Sequence, residues 1–106
     1  MGKYILVVPS AAKAGREDEY NTWYDTEHLG DVCAVPGFVS GARYDAVASS
    51  PDPVPGPCLA IYEIEAEDPV TALTEMRRRA AAGEMSISTS IDGPSAKLWL
   101  YQVRSA

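Results

Sequence analysis

Ten consecutive residues, Tyr20-Asn21-Thr22-Trp23-Tyr24-Asp25-Thr26-Glu27-His28-Leu29, hold the only histidine of the chain among aromatic and acidic neighbours. On a helix, Tyr24 lies four residues from His28, while Asp25 and Asp31 each lie three from it, so these side chains can meet along one face. A histidine titrates near neutral pH, and an adjacent carboxylate or phenol can fix its tautomer, which is what general acid–base chemistry requires. His28, Tyr24 and Asp25 are therefore the candidate catalytic group. A structural role is equally open for His28, as a helix-end histidine bonded to Asp25, Asp31 or a carbonyl. Trp23 and Tyr20, three apart on an amphipathic helix, read first as core, and Trp23 stands also as a substrate-binding candidate.

Composition narrows what this group can serve. A chain of 106 residues with 46% apolar and 23% charged residues is expected to form one domain, residues 1–106, whose core needs neither metal nor disulfide. A net charge of −6 argues against nucleic acid, which is bound by clustered cations releasing counterions. The one basic run, Arg77-Arg78-Arg79, fans around a helix and reads as a solvated face near its C-terminus. Cys33 and Cys58 lack metal or redox spacing and read as free thiols. No apolar run is long enough to span a bilayer, and Tyr4 to Val8 is too short for a signal-peptide core, so a cytoplasmic protein is expected.

The elements that must position the decapeptide follow from periodicity and punctuation. Lys3 to Val8 reads as a strand closed by Pro9-Ser10, and Arg16 to about Leu29 as a helix with Glu17, Asp18 and Glu19 in its first turn. Gly30 is a candidate helix end, with a further turn over Asp31-Val32-Cys33 before the corner at Pro36-Gly37. Phe38 to Val47 and Cys58 to Ala66 alternate as strands, and four prolines between Ser49 and Pro57 make the connection an exposed loop. Asp68-Pro69 is an N-cap followed by proline at the first helical position, starting a helix over Val70 to Ala82 that ends at Gly83. On it Val70, Leu73, Thr74, Arg77 and Ala81 share one side, with Met76 and Ala80 adjacent. Met85 to Asp92 alternates poorly and is open between a short edge segment and a loop, and Ala96 to Val103 is the last strand. The order β-α-β-β-α-β defines an α+β, ferredoxin-like fold: an antiparallel sheet with two helices on one face.

Two helices cover one face only. If Leu98 and Leu100 face the helices, Trp99 and Tyr101 stand on the uncovered side. Pairing Val47 near Leu59 would set Arg43 opposite Glu63 on that side, and an amphipathic wall of Arg43, Glu63, Trp99 and Tyr101 would then be a substrate-binding surface. Exposed aromatic area of this kind marks an interface, so a two-fold homodimer with facing sheets is expected.

The run Tyr20 to Leu29, followed by Val35-Pro36-Gly37-Phe38 and Ala42-Arg43-Tyr44, resembles the EthD-like branch of the dimeric α+β barrel superfamily. The resemblance implies a ferredoxin-like protomer, a homodimer with facing sheets, and a pocket between sheet and first helix. The motif histidine, tryptophan, tyrosine and acid carry over to His28, Trp23, Tyr24 and Asp25. The superfamily includes cofactor-free monooxygenases, muconolactone-type isomerases, polyketide cyclases and haem-using enzymes, so it fixes shape more than chemistry. Two functions of different class follow. One is a cofactor-independent enzyme acting on a small apolar, aromatic or polyketide-like molecule, with His28 as acid or base and Tyr24 and Arg43 polarising oxygen. The other is a non-catalytic dimeric module binding a small ligand through the same cavity. A haem variant would make His28 the axial ligand.

Overall fold

The computed structural model describes residues 1–105. Strand β1 (Gly2–Ser10) is followed by α1 (Glu17–Trp23), a π-helical turn (Tyr24–His28) and α2 (Leu29–Cys33), which together form one continuous helical arm. Strands β2 (Phe38–Asp45) and β3 (Cys58–Ala66), α3 (Pro69–Ala81), a short 3₁₀ turn (Gly93–Ser95) and β4 (Trp99–Gln102) complete the order. The sheet is antiparallel throughout and ordered β2-β3-β1-β4, the ferredoxin-like arrangement.

Alternation along the strands separates two faces. Leu6 and Val8 of β1 and Ala60, Tyr62 and Ile64 of β3 are buried on the helical side. There they meet Tyr20, Trp23, Tyr24 and Val32 from the helical arm, Val35 from the corner after it and Ala72 from α3. Asp68 caps α3 by accepting a 2.9 Å hydrogen bond from the Val70 amide, with proline next in line, as its sequence pattern predicts. Gly83 leaves the helix with φ +76.

Three expectations change. Gly30 does not end the first helical arm, which runs on to Cys33; Gly37 is the glycine with positive φ at this corner. Strand β4 is only four residues long; Met85 to Asp92, open in sequence between an edge segment and a loop, forms no strand and is bridged at Ile91 to Ala12, just after β1. The third change concerns register. Tyr44, not Val47, pairs with Leu59, because the proline-rich connection cannot supply ladder donors and β2 stops at Asp45; the Ala46 amide closes the loop on the Pro57 carbonyl. An odd displacement of the pairing turns every side chain over. Arg43 therefore lies opposite Ala60 on the helical side, and Glu63 faces Ser40 and Ile5 on the uncovered side, so the expected Arg43–Glu63 pair does not form.

Trp99 and Tyr101 do stand on the uncovered side, beside Val7 and Ile5. One row, Ala42, Ile61, Val7 and Trp99, crosses all four strands and is wholly apolar. Ser40, Glu63, Ile5 and Tyr101 form the next row. No helix of the described residues is long and apolar enough to cross a membrane.

Candidate functional site

The helical arm places His28 through an irregularity. Across Tyr24–His28 the backbone opens to π geometry, with the Leu29 amide donating to the carbonyl of Tyr24 five residues back. Within this turn the Thr26 hydroxyl donates back to the Thr22 carbonyl at 2.6 Å, a side-chain bond of the kind that bends helices. The wider turn brings residues five apart into register. Trp23 and His28 consequently stack, with ring centroids 4.5 Å apart and planes 23° from parallel. Tyr24 meets the same imidazole edge-on at 4.8 Å.

Neither Asp25 nor Asp31 hydrogen-bonds the imidazole, and the Nδ1 atom of His28 is buried without a partner. Burial pushes the His28 pKa down from 6.5 to about 4, against the opposing pull of the Asp31 carboxylate. The ring is therefore uncharged at neutral pH. Tyr24, shielded from water, is pushed up to about 12, and burial raises Tyr62 as well. Their hydroxyls share a 2.9 Å hydrogen bond, so the Tyr24 hydroxyl is spent on Tyr62 and not on His28.

The remaining members of the predicted group form a separate clamp. Arg43 donates to Asp25 at 2.8 Å and to Asn21 at 2.9 Å, while its guanidinium lies 4.5 Å from the Tyr24 ring centroid and 5.4 Å from that of Tyr20. Only 12% of the Arg43 side chain is exposed. This cation ties edge strand β2 to the helical arm and covers two tyrosine faces. Below it, Tyr20 and Ser10 pair through their hydroxyls.

His28 and Tyr24 line a half-open cavity of about 160 Å³ between the sheet, the helical arm and α3. Its walls are mostly apolar: Val8, Val32, Met76, Met85, Ile91 and Leu98. Trp23 stacks behind the imidazole and donates from its indole nitrogen to the Ser86 carbonyl at 2.8 Å. Trp99 and Tyr101 are not brought to His28, since they stand on the opposite face of the sheet; Arg43 and Asp25 are held in the clamp, and Glu63 is exposed on the uncovered face.

Sequence reasoning missed Arg77, Met85 and Ile91 as cavity residues. For Arg77 the expected stripe of Val70, Leu73, Thr74, Arg77 and Ala81 misled: α3 turns Ala72, Leu73, Met76 and Ala80 inward and leaves Val70, Thr74, Arg77 and Ala81 exposed, so Arg77 borders the cavity from beside Met76 and Ala80. Its neighbours Arg78 and Arg79 are engaged with Glu75, and Arg78 also with Glu84, whereas Arg77 is in no ion pair among the described residues. Met85 and Ile91 belong to the segment without periodicity, so nothing local marked them. Among the described residues, no three His, Cys, Asp or Glu side chains stand together as a metal site.

The four-stranded antiparallel sheet, its strand order and the helices on one face define a ferredoxin-like α+β fold. Two solved structures share it. A "putative monooxygenase" from Shewanella loihica PV-4 is similar with a TM-score of 0.64 at 15% identity, over 99% of this chain and 97% of that one. The heme-degrader MhuD from Mycobacterium tuberculosis, solved with two hemes bound in its active site, is similar with a TM-score of 0.67 at 16% identity, over 97% of each chain. No protein-family model matches the sequence, and no curated protein sequence matches it.

Proposed function

We propose that the chain is a cytoplasmic, homodimeric, cofactor-independent enzyme of the EthD-like branch. Its His28 cavity takes a small apolar or aromatic molecule and moves a proton next to a carbonyl. One observation carries this: the imidazole that lines an apolar hollow has a ring nitrogen buried without a partner. An unsatisfied buried polar group costs about 1–3 kcal/mol, a cost characteristic of working sites. The uncharged imidazole has a free lone pair. It can take a proton from an activated carbon, and the imidazolium formed, acidic in this surrounding, returns the proton elsewhere on the same molecule.

Volume limits the ligand. A cavity of about 160 Å³ is below the ~300–1,000 Å³ of pockets for drug-sized ligands, so neither a fused polyketide nor a haem macrocycle fits inside it.

The apolar row across the uncovered sheet supports a homodimer, since one molecule leaves Trp99 and Tyr101 in water and a second copy would cover them. Sedimentation should give twice the chain mass at micromolar concentration, and Trp99→Lys should give a monomer. A wild-type monomer would remove this part.

The chemical part is tested with His28→Phe, which keeps a ring on Trp23 and removes the orphan nitrogen. Ligands found by thermal shift from a panel of small cyclic ketones and enols are incubated with both proteins, and products are followed by mass spectrometry. The variant should lose ~10²–10⁴-fold in turnover, the range for a positioned acid–base group. Equal turnover would refute the role. The non-catalytic binding module is favoured instead by the pairing of Tyr24 with Tyr62 and of Arg43 with Asp25, which leaves His28 without a second group beside it. It predicts binding without conversion by either protein.

A further inference from the structure

The geometry points to a monocyclic carboxylic acid, such as a benzoate-sized molecule, as the ligand class of this cavity, with its ring in the hollow and its carboxylate on Arg77 at the mouth. This rests on the reading of the His28 cavity as a ligand site and adds both size and charge to it.

Size comes first. The cavity holds about 160 Å³, and an apolar cavity of about 150 Å³ accommodates benzene, so one six-membered ring fills it. Met76 and Met85 in its wall supply flexible, polarisable contacts to such a ring.

Charge comes second. Of the polar residues on the wall, Ser10 is paired with Tyr20, and Tyr24 with Tyr62. Arg77 and His28 are left. Arg77 is an exposed residue that lines the cavity and has no carboxylate partner among the described residues, while the two arginines that follow it are committed to Glu75 and Glu84. A guanidinium presents a planar fork that matches a carboxylate, and one cation balances one monoanion. No lysine, aspartate or glutamate lines this cavity, and the imidazole there is uncharged at neutral pH, so Arg77 alone sets the sign of the mouth. In a protein of net charge −6, an unpaired arginine opening onto an apolar hollow selects an amphipathic anion over a neutral ring or a cation.

The test is an NMR titration of the full-length wild-type chain with benzoate, benzamide, benzylamine and 2-naphthoate, read at the ring protons of His28, whose signal is unambiguous because the chain has one histidine. Benzoate should shift that signal and bind about three- to tenfold more tightly than benzamide at low salt, as expected for an ion pair open to water on one side. Added salt should narrow the difference. Benzylamine and the two-ring 2-naphthoate should bind more weakly than benzoate. Arg77→Gln, a surface change that leaves the core intact, should make benzoate and benzamide equal. Benzamide binding as tightly as benzoate in the wild type, or an unchanged preference in the variant, would overturn the inference and leave the cavity reading standing. If no single-ring compound shifts the His28 signal, the cavity reading falls as well.

Discussion

Protonation of His28 offers the most direct check on the site, because its energetics can be worked from the surroundings. Burial between Trp23, Tyr24 and the cavity wall lowers its pKa from 6.5 to about 4, with Asp31 opposing and Arg77 the only formal charge lining the cavity. The unfolded chain thus takes up a proton on this side chain near pH 6.5, while the folded chain resists until about pH 4. Between those values the unfolded state holds more protons, so stability falls as the pH falls through this window and is fully present above it. At about 1.4 kcal/mol for each tenfold change in proton affinity, the loss amounts to roughly 3 kcal/mol by pH 4. Urea melts of wild type and His28→Phe across pH 7 to 4 isolate this contribution, since carboxylates titrate in both proteins and cancel in the difference. Glu75, held down to about 2 by its hydrogen bonds to Arg78 and Arg79, stays ionised throughout the window. The variant should fall less steeply, and the His28 ring protons of the wild type should titrate near pH 4. Titration near 6.5, or parallel stability curves, would show that the imidazole is hydrated and the cavity account mistaken.

Three further substitutions probe the frame around it. Gly41→Ala would place a Cβ 2.7 Å from Tyr62 Cδ1 and 3.0 Å from the Cys33 sulfur, so Tyr62 must move; about 1–3 kcal/mol of destabilisation and a changed near-UV dichroism should result. Arg43→Met should cost about 1–3 kcal/mol by urea melt, and Asp25→Asn clearly less, because the Asp25 side chain is 59% exposed and the Arg43 side chain is not. Asp68→Ala should lose about 1 kcal/mol, measured in the same way, through the missing N-cap bond to Val70.

The parts of the molecule that were legible in sequence are those whose signals are local. Asp68-Pro69 before a helical stripe, the proline-rich break at 49–57 and the alternation of Cys58 to Ala66 each fixed an element from within itself. The uncovered position of Trp99 and Tyr101 followed from counting helices against sheet faces. Register did not follow, because it depends on where β2 stops, and that is set by the loop's closure between Ala46 and Pro57. Arg43 was recognised as important and put on the wrong face for this reason alone. The π turn was equally hidden: the spacing of Tyr24 and His28 is compatible with an ordinary helix, and only the packing of Trp23 on the imidazole reveals the extra width. The segment from Met85 to Ile91 contributes walls through tertiary contacts that no periodic pattern encodes.

The Arg43 clamp makes the two flanks of the molecule mechanically unequal. On the β2 flank, a charged strap and a long strand pairing join sheet and helical arm into one unit. On the other flank, the hollow is bounded by Met85, Ile91, Ala96 and Leu98, from a stretch without a strand of its own that is held by an isolated bridge at Ile91 and by single backbone bonds at Ser90, Asp92 and Lys97 before the four-residue β4. Opening by partial unfolding costs least where backbone pairing is thinnest. Breathing motions that admit a guest therefore begin at the β4 flank, and amide exchange should be fastest there while the strapped flank stays closed.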